Sequence, residues 1–304
     1  MRIEFFIYTL ENSVMDWTIK EFIVELSRDP ARRVLFVEGT RDIAFWRSLF
    51  PQSERRDTVI YTISKIKSPG PGGERGRLMR CAHAISGTEI DDRVRFFADA
   101  DFDRVFLVVC PENVTLTDGR DLESYGLNRT CMIRLSLTGL AISEAAAEQV
   151  LPCVLKLGRS IAMVRIASER KKLNLPFQRT IGKKELRKLV DDDGAGSVIN
   201  IDKLITTLHQ NASMAINGAR LEEVKGFVAA EEAGLKAFAD DQVVHGKDAT
   251  DILAWMFDAG AEEIERLWFA CMNYQDIAAH PNISTVIAWL RRDPDISLEL
   301  GASG

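Results

Sequence analysis

The stretch at residues 33–40, Arg-Val-Leu-Phe-Val-Glu-Gly-Thr, constrains this chain most. An unbroken branched and aromatic run, Val34 to Val37, ends abruptly in Glu38-Gly39, after which Ile43, Phe45, Trp46 and Leu49 recur at helical spacing. The pattern predicts a buried strand, a glycine turn and a helix. A strand that is apolar on both faces belongs in a parallel sheet covered on both sides. Such sheets gather reactive groups just beyond the carboxyl ends of their strands, and Glu38 falls at such an end.

A second acidic stretch follows about sixty residues later, where Phe96 and Phe97 lead into Asp99, Asp101 and Asp103. On an extended backbone alternate side chains share a face, so the three aspartates are expected to point the same way. Carboxylates crowded on one face repel each other unless a cation holds them. With little His or Cys nearby, hard oxygen donors favour Mg²⁺ or Mn²⁺ over zinc. An EF-hand is excluded, because Arg104 stands where the loop needs glycine and Cys110 where it needs glutamate. Each motif alone is common, and a Glu-Gly after a strand is usually only a turn. The information lies in the pair: strand, Glu-Gly and helix, then strand and Asp-x-Asp-x-Asp.

That pair resembles the TOPRIM fold, the metal-binding domain shared by topoisomerases, DnaG-type primases and OLD-family nucleases. In this resemblance Glu38 matches the family glutamate, and Asp99 with Asp101 match its Asp-x-Asp. The combination VEGTRDIAFW, ADADFD and TDGRDLESYGLN is similar more narrowly to the DUF4435 group, which includes the effector nuclease of the PARIS phage-defence system. The likeness spans roughly residues 30–130, with a weaker echo at VVHGKDATDILAWMF. It implies a nuclease that uses Mg²⁺ or Mn²⁺, acts as a toxic effector on RNA such as tRNA or on DNA, and is held inactive by a separate ABC-type or AAA-like ATPase. Asp121 and Glu123 read either as acids favoured by a helix dipole or as a second acidic pair at the sheet edge, and the resemblance turns them toward metal binding. No tyrosine stands at a recognisable topoisomerase position, so hydrolysis is expected rather than strand passage.

Bulk properties agree with a soluble chain. At 304 residues, 46% hydrophobic and 28% charged, it has ample material for a buried core. No apolar run approaches the ~20 residues that span a bilayer, and the charged N-terminus does not read as a signal peptide, so a cytoplasmic protein is expected. The five cysteines are scattered without a C-x-x-C pair, which suggests neither zinc nor a disulfide framework. A net charge of −6 argues against indiscriminate coating of nucleic acid, although local patches matter more than the sum.

In chain order, residues 1–30 are expected to wrap the first domain with a strand at Ile3–Tyr8 and a helix ending near Arg28. Thr58–Ile63 reads as a strand. The segment KIKSPGPGGERGRLMR carries glycines among Lys65, Lys67, Arg75 and Arg77. It is either a flexible surface loop or a clamp on a nucleic-acid backbone, and it lacks the spacing of an ATP-binding P-loop. Val105–Val109 continues apolar, and Asn113–Thr117 is a further strand candidate. The expected division is a mostly parallel α/β TOPRIM-like sheet with flanking helices at 31–130, then a mainly α-helical domain at 131–304. Helices are expected at Ser143–Leu157, Ser160–Leu173, Lys183–Val190, Asp202–His209, Arg220–Phe238, Asp248–Phe257, Ala261–Ile277 and Ser284–Arg291.

Within that second half, Arg165–Lys188 holds nine basic residues against two acidic ones, including Lys171 and Lys172. This is either a solvated face or a second nucleic-acid contact. The acid-rich segment Glu222–Glu265 suits a protein partner instead. His245-Gly246-Lys247-Asp248 lies between a short apolar strand and a helix start, with Asp248 a plausible N-cap and Lys247 a cation for a scissile phosphate. Glu38 or Asp103 would relay a proton. Two further readings stay open: a non-catalytic TOPRIM-like subunit that binds metal or nucleic acid, and a phosphotransfer enzyme acting on a small phosphorylated substrate. Homo-oligomerisation is compatible with all three.

Overall fold

A computed structural model describes residues 16–50, 57–177, 181–192, 196–212 and 219–291. The expected strand at Ile3–Tyr8 lies outside these residues, as do Pro51, which is expected to break the pattern after the Glu38 helix, and Gly194 and the Asn217-Gly218 turn, which are expected to divide the later helices. The chain is an α/β protein that divides into two compact units. One comprises Met1–Ala98, Val109–Leu116 and Asn282–Gly304, the other Asp99–Val108 and Thr117–Pro281. The division is interleaved, where composition suggested a single break near residue 131.

The first unit runs β1 (Trp17–Thr18), α1 (Ile19–Ser27), β2 (Arg33–Val37), α2 (Thr40–Leu49), β3 (Thr58–Thr62), β4 (Ile66–Lys67), α3 (Gly73–Ile85), β5 (Val94–Ala98) and β6 (Val114–Leu116). Four strands form a sheet in the order β3-β2-β5-β6 with every pairing parallel, while β1 pairs separately with β4. The apolar run read from the sequence accounts for the centre of this sheet, since Val34, Leu35, Phe36 and Val37 are all buried. Alternation sorts them onto two faces. Phe36 stacks on Phe96 at 5.5 Å and meets Phe22 of α1 edge-on at 5.1 Å, beside Leu78, Cys81 and Ile85 of α3. On the other face Phe97 meets Trp46 of α2 at 5.0 Å. Each such side chain contributes about 1.5–3 kcal/mol on burial, so the two central strands are held from both sides.

Past β5 the backbone departs from expectation. The strand ends at Ala98, Asp101 adopts a left-handed conformation at φ 46°, and Asp103 opens a short helix, α4 (Asp103–Phe106). The Asp101 amide donates to the Arg120 carbonyl at 2.8 Å and the Asp103 amide to the Ala100 carbonyl at 2.9 Å. These hydrogen bonds curl the chain, so the extended alternation expected to align all three aspartates does not extend to Asp103. In the apolar stretch Val105–Val109, Leu107 and Val109 are 85% and 91% exposed.

The second unit is mainly helical among its described residues. It contains α5 (Arg129–Arg134), which runs into a π-helical turn at Leu135–Gly139, then α6 (Glu144–Arg170) and α7 (Lys183–Leu189). An antiparallel ribbon of β7 (Val190–Asp192) and β8 (Ser197–Ile199) precedes α8 (Ile201–Asn211), α9 (Leu221–Leu235), α10 (Asp240–Val243), α11 (Gly246–Met256), α12 (Ala261–Cys271) and α13 (Tyr274–Ala278). The helix expected across Ala261–Ile277 is split, because the Asn273 side chain accepts from the Asp276 amide at 2.9 Å and starts a new one. The strand expected before His245 is the short helix α10. Among the described residues no helix is long and apolar enough to cross a membrane.

The two helices expected on either side of Gly158 are a single helix of 27 residues. Gly158 lies inside it because a Cβ there would come within 2.6 Å of Val244 Cγ1. The glycine therefore permits close packing rather than ending the helix. Gly158→Ala should destabilise the protein by about 1–3 kcal/mol through overpacking, although alanine is the better helix former by about 1 kcal/mol. Urea denaturation tests this, with Val244→Ala as the compensating change. A Gly158→Ala protein more stable than the parent would contradict it.

Candidate functional site

Val37 and Phe97 are register partners in the β2–β5 pair, so the two central strands run out together at one edge of the sheet. Glu38 is the first residue past β2, and Asp99 is the first past β5. At the β2 end Gly39 is extended and its amide donates to Asp42 Oδ2 at 2.8 Å, which starts α2. Desolvation raises the Asp42 carboxyl above its ordinary range, opposed by the amides of Gly39 and Glu38. Glu38 Oε1 accepts from Arg75 Nη1 at 3.3 Å.

Arg75 comes from the glycine-rich segment, whose form is defined. Gly72 and Gly73 take left-handed conformations (φ 89° and 56°), and a Cβ on Gly76 would lie 2.3 Å from the Pro71 carbonyl oxygen. Arg80 clasps the segment, donating to the carbonyls of Pro71 at 2.6 Å and Ser68 at 2.9 Å. The result is the first turn of α3, which carries Arg75 toward Glu38. Arg77 turns to Glu74 at 3.1 Å instead. Lys65 ends a short 3-10 turn, and Lys67 is exposed on β4.

In the second unit the acids are organised by hydrogen bonds. Asp101 is exposed, while Asp99 and Asp103 are partly buried. Asp121 is buried, accepting from the Gly246 amide at 2.7 Å on Oδ2 and from the Ser124 amide at 3.2 Å on Oδ1. A Cβ on Gly246 would lie 2.3 Å from Glu123 Cβ and 2.8 Å from Asp121 Oδ1, so the Asp-Leu-Glu and His-Gly-Lys motifs meet only because residue 246 has no side chain. Burial pushes the Asp121 carboxyl up to about 6 despite the neighbouring Arg120. Arg120 is itself buried, lies 3.7 Å over the Phe102 ring and donates to the Val243 carbonyl at 3.2 Å, while its Nε has no hydrogen-bond partner.

His245, rather than Asp248, caps α11: its Nδ1 accepts from the Lys247 amide at 2.9 Å. That bond leaves the proton of the neutral ring on Nε2. Desolvation and then Arg120 hold the imidazole down at about 3, so it is uncharged at neutral pH. Lys247 is exposed in the first turn of α11. Asp248 is buried and forms a two-point ion pair with Arg165, 2.6 Å at both contacts, and Arg165 lies 4.3 Å from the Phe177 ring centre. The Asp248 carboxyl is lowered although desolvation, the largest influence, raises it; Arg165 prevails. Asp251 is pushed up to about 6 by desolvation and by Asp248. Arg120 and Asp251 were not singled out from the sequence, where their one signal was proximity to Asp121 and Asp248, and Arg165 was read only as the start of the basic segment.

The basic segment Arg165–Lys188 is partly committed to internal pairs. Arg165 binds Asp248, Arg170 binds Glu231 at 2.9 Å, and Lys183 and Arg187 both bind Asp258 at 2.6 Å. Lys171 and Lys172 are exposed past the end of α6, with Lys171 Nζ 5.0 Å from the Phe227 ring centre. In the acid-rich segment, Glu231 and Glu222 likewise have partners, Arg170 and Lys225.

Among the described residues no group of three or more His, Cys, Asp or Glu side chains is gathered to hold a metal ion. Those residues thus show no cage of the calcium or zinc kind. Their arrangement is compatible with Mg²⁺, which is commonly held by one or two carboxylates together with substrate phosphates. Glu38 is a carboxylate just past a strand end, with the Arg75 guanidinium against it.

Removing Arg165 leaves Asp248 buried without its charge partner. Arg165→Met should therefore lower stability by about 3–5 kcal/mol near neutral pH, and Asp248→Asn in that background should recover part of the loss. Chemical denaturation of the single and double variants measures both. Asp121 acts in the opposite sense with pH. Its folded value, about 6, exceeds the ~3.9 of an unfolded aspartate, so its contribution to stability is fully present below about pH 4 and is lost as pH rises through about 6. Asp121→Asn should flatten the fall in stability between those pH values, and an undiminished fall would exclude Asp121 as its source. Compared with known proteins, the chain matches no protein-family model and no curated protein.

Proposed function

We propose that the chain is a TOPRIM-like, Mg²⁺- or Mn²⁺-dependent nuclease that hydrolyses phosphodiester bonds in RNA or DNA. The observation that carries this reading is the parallel register of β2 and β5, which ends two neighbouring strands together, one followed by Glu38 and the other by Asp99 and then Asp101. Glu38, Asp99 and Asp101 are the proposed metal ligands. When bound, the cation supplies Lewis acidity at the scissile phosphate and acidifies water.

The chain's own residues would hold the substrate and move the proton. Lys247, exposed at the first turn of α11, offers a mobile ammonium to a phosphate oxygen. Asp103 or Glu38 would accept the proton of the attacking water. Arg75, Lys65, Lys67, Lys171 and Lys172 are the candidate contacts to the nucleic-acid backbone, with Arg77 reaching it only by leaving Glu74. Asp121 and Glu123 take a supporting role in this reading, because Asp121 uses both oxygens on backbone amides. The resemblance to the DUF4435 group supports the wider proposal of an anti-phage effector restrained by a partner ATPase.

A second reading, a non-catalytic subunit that binds metal or nucleic acid, is favoured by the absence of a three-carboxylate cluster among the described residues. One experiment separates the two. Purified protein incubated with labelled RNA and DNA pools should cleave at least one with Mg²⁺ or Mn²⁺ and not with EDTA. Glu38→Ala and Asp99→Ala should each reduce cleavage by roughly 10²-fold or more with unchanged circular dichroism. Full activity in a folded Glu38→Ala protein would remove the nuclease reading, and binding without cleavage in the parent would favour the subunit.

A further inference from the structure

A solvent-open hollow of about 350 Å³ lies in the helical unit, lined by Lys188 and Leu189 at the end of α7 and by Asp202, Lys203, Thr206 and Thr207 of α8. Its size is near the lower end of the roughly 300–1,000 Å³ of small-molecule sites. Hydrogen bonds hold its walls in register. The Asn200 amide donates to the Leu189 carbonyl at 2.8 Å, which pins the start of α8 to the end of α7. The Asn200 side chain donates to Asp191 Oδ2 at 2.7 Å and accepts from the Lys203 amide at 2.9 Å, while Lys203 Nζ donates to Asp191 Oδ1 at 2.7 Å. Thr207 Oγ1 donates to the Lys203 carbonyl at 2.8 Å. Two polar groups are left over: among the described residues neither the exposed Lys188 ammonium nor the half-buried Thr206 hydroxyl has a hydrogen-bond or ion-pair partner. Asp202, the one acid in the lining, has its side chain 76% exposed and faces Lys225 at 3.6 Å. Leu189 adds a buried apolar surface.

We propose that this hollow is a nucleotide subsite, in which Lys188 and Thr206 hold one phosphate and the attached nucleoside lies against Leu189. The two free donors come from different helices, so they are not the parallel pair that an arginine offers to a planar carboxylate. A tetrahedral oxyanion accepts from non-parallel donors, and lysine binds phosphate as a point charge. The same chemistry serves a free mononucleotide and a nucleotide unit of a strand. The inference does not rest on the nuclease reading, because it needs no divalent cation and no cleavage.

The test is equilibrium dialysis of labelled AMP and UMP against the full chain in EDTA, which keeps any metal-dependent cleavage out of the measurement. The parent should bind at least one of them saturably at roughly millimolar concentration or below, and bind the matching nucleoside much more weakly. Lys188→Gln should weaken binding roughly tenfold and Thr206→Val roughly threefold, with unchanged circular dichroism, while Lys188→Arg keeps the charge and should stay near the parent. Lys184 is exposed one turn away on the same side of α7, also without a partner among the described residues. Lys184→Gln removes an equal charge outside the hollow and should change affinity by no more than about twofold. A short single-stranded RNA that displaces the mononucleotide identifies the ligand as a unit of a strand, and one that does not identifies it as the free nucleotide. The proposal is overturned if neither mononucleotide binds saturably, if the nucleoside binds as tightly, or if Lys184→Gln and Lys188→Gln lose affinity equally. None of these results alters the cleavage assay above, so the two readings fail separately.

Discussion

The parallel pairing of β2 with β5 governs what this molecule can bring together. Its backbone hydrogen bonds fix Val37 opposite Phe97, whatever the side chains beyond them do. Packing then locks the pair from both faces: Phe36 and Phe96 lie against α1 and α3 on one side, and Phe97 against Trp46 on the other. Glu38, the first residue past β2, inherits its position from this arrangement. Polar chemistry can therefore be placed at the sheet edge without adding to the load on the apolar core.

Charge is handled differently in the two units. At the sheet edge Glu38 and Arg75 meet where water reaches both, which keeps exchange of partners inexpensive. In the helical unit Asp248 and Arg165 meet in a site where neither is tolerated alone, and the Phe177 ring covers the guanidinium. Arg120 is more extreme, because burial lowers its affinity for a proton to about 10 even with Asp121 beside it. An arrangement of this kind is costly in solvation and specific in geometry. It ties the turn at Asp121, the start of α11 and the middle of α6 into one set of mutually dependent positions.

Much of the sheet could be read directly from the chain. The buried run at Val34–Val37, the turn at Glu38-Gly39 and the strand at Thr58–Thr62 carried strong local signals, as did the apolar approach to Asp99. The reading failed where a residue's purpose was set by something distant in sequence. Asp101 looked like part of an extended strand, but the Arg120 carbonyl, nineteen positions away, turns the backbone there. Separate helices were expected at Ser143–Leu157 and Ser160–Leu173, yet Gly158 lies inside one helix, where it makes room for Val244. The basic segment looked like an open electrostatic surface, but Asp248, Glu231 and Asp258 occupy four of its cations. The glycine-rich segment showed its composition and not its clasp, since nothing local announces that Arg80 will fold back onto Ser68 and Pro71.

The interleaving of the two units bears on how the chain is made. The first unit needs Val109–Leu116 to complete its sheet and also the stretch from Asn282, which supplies Trp289 to stack with Arg33 at 4.0 Å and Arg291 to lie over Phe50. During synthesis β2, β3 and β5 emerge early, but their last packing partners appear only after all of the helical unit has been translated. Until then Phe50 and Arg33 lack those neighbours, and the nascent sheet must persist in a partly covered state. Such long-range closure slows folding and exposes the intermediate to aggregation, so the elongating ribosome, rather than the finished protein, sets the period of greatest vulnerability.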